Sequence, residues 1–278
     1  MNEVVLEALS RIRSLLGEEA AERFVPLFRK WVRRGFISRE SFKTTGDDIV
    51  TACIEMGGLQ SRHRVLDVGC GIGRITLALL GYLGSAGSYE GFDITASGIR
   101  WLRKYVTVKF PRFRFRLAGG MYSGLYNPSG GRDSSSYDFP YQQGTFDFAI
   151  AVSVFTHMAP PGVRHYLAET ARTLKPRGRL LCTTYLLDDE ALAMGRDARS
   201  AINFPNDFGT YRLQKVSMPE FAVAFDEKYF LRCAAEPGLH LKGEIRRGPW
   251  RHKGIQMGQD LVVLEKGLDS ASLASTLG

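Results

Sequence analysis

Val65-Leu66-Asp67-Val68-Gly69-Cys70-Gly71-Ile72-Gly73-Arg74 joins a short apolar run, an acid and three glycines at alternate positions. An amphipathic run from Ile75 to Leu83 follows. That order reads as a buried strand, a tight turn and a helix start, the first βα unit of a nucleotide-binding α/β sheet. Glycine permits φ > 0 in such a turn, and its missing Cβ lets a ligand lie against the backbone. Unpaired N–H groups at the start of the next helix would face that ligand. An ordinary tight turn explains a lone glycine pair. Acid, spacing and flanking elements together point to a ligand.

Downstream, Ser88 to Asp93 reads as a second strand ending in an acid. A carboxylate there suits a ribose diol, because one ionised group accepts two hydroxyl hydrogen bonds. Its competing role is a helix cap for Thr95 onward. Phe113 to Leu117 is the third strand, Thr145 to Val152 the fourth and Arg179 to Tyr185 the fifth, with helical stretches between them. His240 to Arg246 and Asp260 to Glu265 close the chain as a strand pair. Five βα repeats and a terminal hairpin predict a doubly wound, Rossmann-like α/β sheet with ligands at the carboxyl ends of its strands.

Upstream, residues 2 to 35 carry apolar side chains at helical spacing, interrupted at Gly17. They predict an N-terminal helical cap that packs on the core, closed by Arg33-Arg34-Gly35. Phe36 to Gly46 is polar and reads as loop, with Thr45-Gly46-Asp47-Asp48 supplying caps for the next helix. The organisation expected is a cap and linker over 1–46, a core domain over 47–267 and a disordered tail over 268–278. Gly119 to Gly144 and Leu186 to Met218 read as long loop-rich excursions, a common place for function or for mobility.

The chain has 278 residues and a net charge of +8. Its basic residues are spread rather than gathered in one polybasic block, which argues against nucleic acid as the main partner. No run reaches the roughly 18 apolar residues of a membrane span, and the start lacks a signal-peptide pattern. The four cysteines, Cys53, Cys70, Cys182 and Cys233, form no CxxC pair and suit buried thiols in a reducing, cytoplasmic setting. No metal constellation is visible either.

The glycine stretch with Asp93 resembles a class I S-adenosylmethionine-dependent methyltransferase. Phe146-Asp147-Phe148, Leu174-Lys175-Pro176-Arg177-Gly178-Arg179-Leu180 and Gln259-Asp260-Leu261-Val262-Val263-Leu264 resemble its later core motifs. Ser153-Val154-Phe155-Thr156-His157-Met158 is similar to a bacterial, small-molecule-type subgroup. The similarity runs from about Thr45 to Lys266. It implies a seven-stranded sheet whose last strand is antiparallel. It implies S-adenosylmethionine as cofactor and S-adenosylhomocysteine as product. Gly69, Cys70, Gly71, Gly73 and Arg74 would form the cofactor turn, and Asp67 would support it or the amino group. Asp93 would hold the ribose and Ile94 would pack on the adenine, while Ser153 and Val154 would close the cofactor site at the end of strand four. The family often has an acid or amide after strand three, where this chain has Ala118-Gly119-Gly120, so backbone groups or Met121 would serve the adenine. A dinucleotide fingerprint would need glycine at 74, where Arg74 stands, which argues against hydride transfer.

For a hydroxyl acceptor a general base helps, and histidine titrates in the useful range. His157 follows strand four on the ligand edge and is the expected base or acceptor-orienting group, with a structural hydrogen bond as its other role. Tyr126, Tyr185, Tyr211, Trp250 and Arg251 are expected at the acceptor pocket, or in packing. No Asn/Asp-Pro-Pro-Tyr pattern follows strand four. The reading is therefore O-methylation of a small molecule, such as a sugar, lipid-linked or natural-product acceptor. RNA methylation is the alternative that the charge suggests. A non-catalytic adenosylmethionine-binding module is the alternative outside enzymes.

Overall fold

The computed structural model describes residues 3–33, 41–197, 199–253 and 258–268. Its contacts gather into two compact units that divide between Gly119 and Gly120. The first opens with helices α1 (Glu3–Leu16) and α2 (Glu18–Arg33), separated by Gly17 at φ 98, whose N–H returns to Arg13 O at 2.9 Å. This is a left-handed glycine at a helix end, as expected there. Arg34 and Gly35 of the expected cap lie outside the described residues.

Helix α3 (Ser41–Glu55) corrects one expectation. Residues 41–46 are already helical, so Asp47 caps nothing and instead pairs with Arg11 of α1 at 2.7 Å. Strand β1 (Arg64–Val68) leads into α4 (Arg74–Leu79), then β2 (Ser88–Asp93), α5 (Ala96–Trp101) and β3 (Phe113–Leu117). Wide π-helical turns over Leu102–Thr107 extend α5. All three strands are parallel, with Val68 opposite Phe92 and Asp93 opposite Leu117. The helical cap is fastened to α5: Phe24 lies against Trp101 at 4.8 Å, and Trp101 Nε1 donates to Ala20 O.

In the second unit β4 (Phe146–Ala151) is followed by α6 (Pro160–Thr173) and the long β5 (Leu174–Leu187). The expected Lys175–Gly178 turn survives as a bulge, with Arg177 at φ 62 and a register shift against β4. Then come α7 (Asp189–Arg196), β6 (Asn206–Asp207), β7 (Tyr211–Leu213), β8 (Val223–Asp226), α8 (Glu227–Ala235), β9 (Leu239–Leu241) and β10 (Asp260–Lys266). β5 runs parallel to β4, while β10 is antiparallel to both β5 and β9. That is the antiparallel last strand the sequence implied. The β6–β7–β8 meander, parallel to the end of β5 through β8, was not foreseen. Cys53, Cys70, Cys182 and Cys233 are free and buried. Among the described residues no helix is long and apolar enough to cross a membrane.

Candidate active site

The chain leaves β1 and folds back over the end of β2. Gly69 and Cys70 both donate their N–H to Phe92 O, at 2.9 and 3.0 Å, and Gly73 N donates to Cys70 O at 3.0 Å. Gly69, Gly71 and Gly73 all take positive φ, at 78°, 59° and 92°. The space that a Cβ would need is taken by the protein. At Gly73 it would stand 2.6 Å from Leu102 Cδ2, and at Gly71 it would stand 3.0 Å from Trp31 of α2. At these two positions the missing Cβ makes room for close packing within the protein. Cys70 is buried, and burial pushes its thiol well above the ordinary range, so it is protonated and unreactive.

Asp93 does two things at once. Its Oδ2 accepts from Gly71 N at 2.8 Å, which ties the acid of β2 to the middle of the glycine turn. Its Oδ1 accepts from the backbone N–H and hydroxyl of Thr95, at 2.7 and 2.5 Å. The cap role weighed for Asp93 is therefore real. The backbone N–H of Ile94 acts on the same carboxylate, so its roughly four acceptor positions are largely taken up within the chain. Burial raises the Asp93 carboxyl, against the pull of its donors.

Asp67 is 1% exposed. Tyr89 Oη donates to its Oδ2 at 2.5 Å and shares a 2.8 Å bond with Thr76 Oγ1. Its Oδ1 is buried without a partner. Burial lifts the Asp67 carboxyl to about 7. Nearby, Arg74 opens α4 and exerts an opposing positive field on Asp67. Ile94 is half-buried beside Asp93, and Ala118 donates its N–H to Asp93 O at 2.9 Å.

The remaining candidates lie in the second unit. Past β4, Ser153 takes φ 56, uncommon for a residue with a Cβ, and donates its N–H to Thr183 Oγ1 at 2.8 Å. Gln259 accepts from Ser153 Oγ at 3.2 Å and from the Thr183 hydroxyl. Val154 is half-buried, and its carbonyl accepts from His157 N at 3.0 Å. His157 Nδ1 lies 2.9 Å from Glu220 O. A carbonyl only accepts, so Nδ1 carries the proton and the neutral ring keeps its lone pair on Nε2. Burial holds the His157 pKa below its ordinary value. Tyr126 stands edge-on to this ring at 5.7 Å.

Three expected pocket residues are packing instead. Trp250 is 1% exposed and clusters with Tyr185 and Phe204. Arg251 is 2% exposed and is locked by Asp188 at 2.7 Å and Leu186 O at 2.9 Å. The Arg251 charge has to be neutralised and all three side chains enclosed by their neighbours, which the sequence does not display. Glu220, Thr183 and Gln259 escaped the sequence reading. Only Gln259 had a signal, standing within a quoted core motif.

A family model described as a methyltransferase domain matches residues 37–225, more than half of the chain. An O-methyltransferase, cnsE of Penicillium expansum, is 25% identical over 151 residues, covering 54% of this chain and 48% of its own. The methyltransferase GfsG of Streptomyces halstedii is 26% identical over 200 residues, covering 68% of this chain and 65% of its own. The chain thus spans about half to two thirds of the length of these curated relatives. Among solved structures, a SAM-dependent methyltransferase of Methanosarcina mazei superposes with a TM-score of 0.52 at 20% identity, over 76% of this chain and 95% of that one. The 1,6-didemethyltoxoflavin-N1-methyltransferase of Burkholderia thailandensis, solved with S-adenosylhomocysteine, gives 0.54 at 17% identity, over 90% of each chain. These likenesses establish the Rossmann-like α/β fold.

Proposed function

The chain belongs to the methyltransferase-domain family, and on that premise we propose that it moves a methyl group from S-adenosylmethionine to a hydroxyl of a small molecule. The observation that carries the reading is the turn from Gly69 to Gly73, bound through Gly71 N–H to a carboxylate at the end of the neighbouring strand. The residues fit the cofactor. Asp67 Oδ1 is a buried acceptor with no partner, suited to a cationic or N–H group. Asp93, at the end of β2 and bound to the glycine turn, would accept from a ribose hydroxyl in exchange for one of its present donors. Gly69, Cys70, Gly71, Gly73 and Arg74 would line the cofactor with Asp67, Asp93 and Ile94, and Ser153 and Val154 are further proposed cofactor residues. The division we propose is a cap and linker over 1–46, a catalytic core over 47–267 and a tail over 268–278; its first boundary falls inside α3, and 269–278 lie outside the described residues. The four buried thiols support work in the cytoplasm.

The cofactor supplies an electrophilic methyl on a sulfonium, and the protein supplies alignment and proton management. His157 Nε2 would take the proton of the acceptor hydroxyl and so leave the oxygen free to receive the methyl group. A neutral histidine with its lone pair on Nε2 suits that task. The O-methyltransferase among the relatives supports an oxygen acceptor, and a sugar, lipid-linked or natural-product type is the class we propose. The net charge of +8 is the observation that favours RNA as a second reading.

Two measurements test this. By calorimetry, wild type binds S-adenosylhomocysteine and Asp93→Ala binds at least about tenfold more weakly, the equivalent of ~1.4 kcal/mol. Unchanged binding would remove Asp93 from the site. Radiolabelled S-adenosylmethionine incubated with fractionated extract then shows where the label goes. Label in small molecules supports the reading, and label in RNA transfers it to the second.

A further inference from the structure

We propose that Glu220 is a positioning residue that fixes both the tautomer and the ring orientation of His157. The inference rests on the reading of His157 as the base. Glu220 sits in the short turn Pro219–Phe221, and its carbonyl is the acceptor for His157 Nδ1. Around it Lys215 to Pro219 and Phe221 are all exposed, with Val216 at 56% and Met218 at 41%, and the backbone ties of the segment are local, Gln214 N to Ala222 O at 3.1 Å and Phe221 N to Met218 O at 2.9 Å. An acceptor carried on such a segment is only as well placed as whatever holds the segment.

Glu220 holds it by its own side chain. Its Oε2 accepts from Ser123 Oγ and from Gly124 N, both at 2.8 Å. Charge-assisted bonds of this kind are about twice as strong as neutral ones. The same clamp reaches the ring through a second segment. Ser123 exchanges backbone bonds with Asn127, at 3.1 and 3.0 Å, and its Oγ accepts from Tyr126 N at 3.3 Å. That short loop carries Tyr126, whose ring meets His157 edge-on at 5.7 Å. One carboxylate therefore sets the carbonyl on Nδ1 and the aromatic ring beside the imidazole. Free of both, the imidazole could turn or carry its proton on Nε2, where it would be unable to accept one.

Nitrogen-15 histidine spectra of the full chain test this without a known acceptor. In wild type the Nδ1–H form of His157 dominates by tenfold or more. Glu220→Ala lowers that ratio at least tenfold. Ser123→Ala, which removes one of the two arms, lowers it less. Glu220→Gln keeps an oxygen acceptor for Ser123 and Gly124 and restores the wild-type ratio. An unchanged ratio in Glu220→Ala overturns the proposal, as does an unrestored one in a folded Glu220→Gln. With the labelled acceptor fraction, Glu220→Ala lowers kcat about tenfold and leaves KM for S-adenosylmethionine within twofold. Full transfer by His157→Gln would instead overturn the base reading, whatever the spectra show.

Discussion

Burial lifts the Asp67 carboxyl from 3.8 to about 7, while Tyr89 holds one of its oxygens and the other has no partner. The folded state therefore binds this proton more tightly than the unfolded chain does. Stability contributed by the protonated acid is full below pH ~4, falls as pH rises towards about 7 and is gone above it. Three pH units correspond to roughly 4 kcal/mol as a ceiling. Asp67→Asn removes the charge but keeps the shape. It should be more stable than wild type at pH 8, by about 1 kcal/mol or more, and no more stable at pH 4. Urea unfolding at the two pH values measures this, and equal stability at pH 8 would contradict the buried charge. His157 is shifted the opposite way, downward by burial. Its neutral form persists to more acid pH than that of a free imidazole, so the acid limb of kcat belongs below pH 6.5. A pH–rate profile with the labelled acceptor locates it, and a limb above that value would point to another base.

At the scale of elements, the glycine turn is as much a packing device as a ligand loop. Gly73 combines φ 92 with a Cβ position 2.6 Å from Leu102 Cδ2. Gly73→Ala should cost roughly 1–2 kcal/mol in backbone strain and about 1–3 kcal/mol more in overpacking. Leu102→Ala on top should recover part of the second cost and none of the first. A double-mutant cycle in urea reads the coupling, and strict additivity would mean that Leu102 is not the obstacle. The elements legible in sequence were those with a strong period and a large buried face. Ser88–Asp93 and Phe113–Leu117 matched to the residue because they alternate or run apolar between clear breakers. The start of α3 was missed because its first turns are polar. Helix α7 was missed although Asp188 caps it and Asp189-Glu190 fill its first turn, both readable signals. The two- and three-residue strands β6 and β7 are too short for any period to show. Glu220 acts through a tertiary bond to a residue about 97 positions away, at a range where local pattern is silent.

Taken as a whole, the chain divides its proposed labour between two units, cofactor residues mainly in the first and the base in the second. Binding energy can be used to separate the two tasks without any knowledge of the acceptor. A ligand that binds only the folded protein stabilises it by RT ln(1 + [L]/Kd), about 2.7 kcal/mol at a hundredfold Kd. For a chain of this size that is a rise of roughly 2–4 °C in Tm. S-adenosylhomocysteine should produce such a rise in wild type. Asp93→Ala should lose most of it, because the carboxylate holds Gly71 N–H and is the proposed partner of the ribose. Asp93→Asn should lose less, since an amide oxygen still accepts one bond. His157→Gln should keep the full shift, because a residue that acts on the acceptor proton contributes nothing to product-cofactor affinity. The comparison uses each variant's own unliganded Tm as its baseline, so a folding defect in Asp93→Ala does not imitate lost binding. If His157→Gln loses the shift as well, the ring helps to bind the cofactor, and the separation of roles between the two units fails.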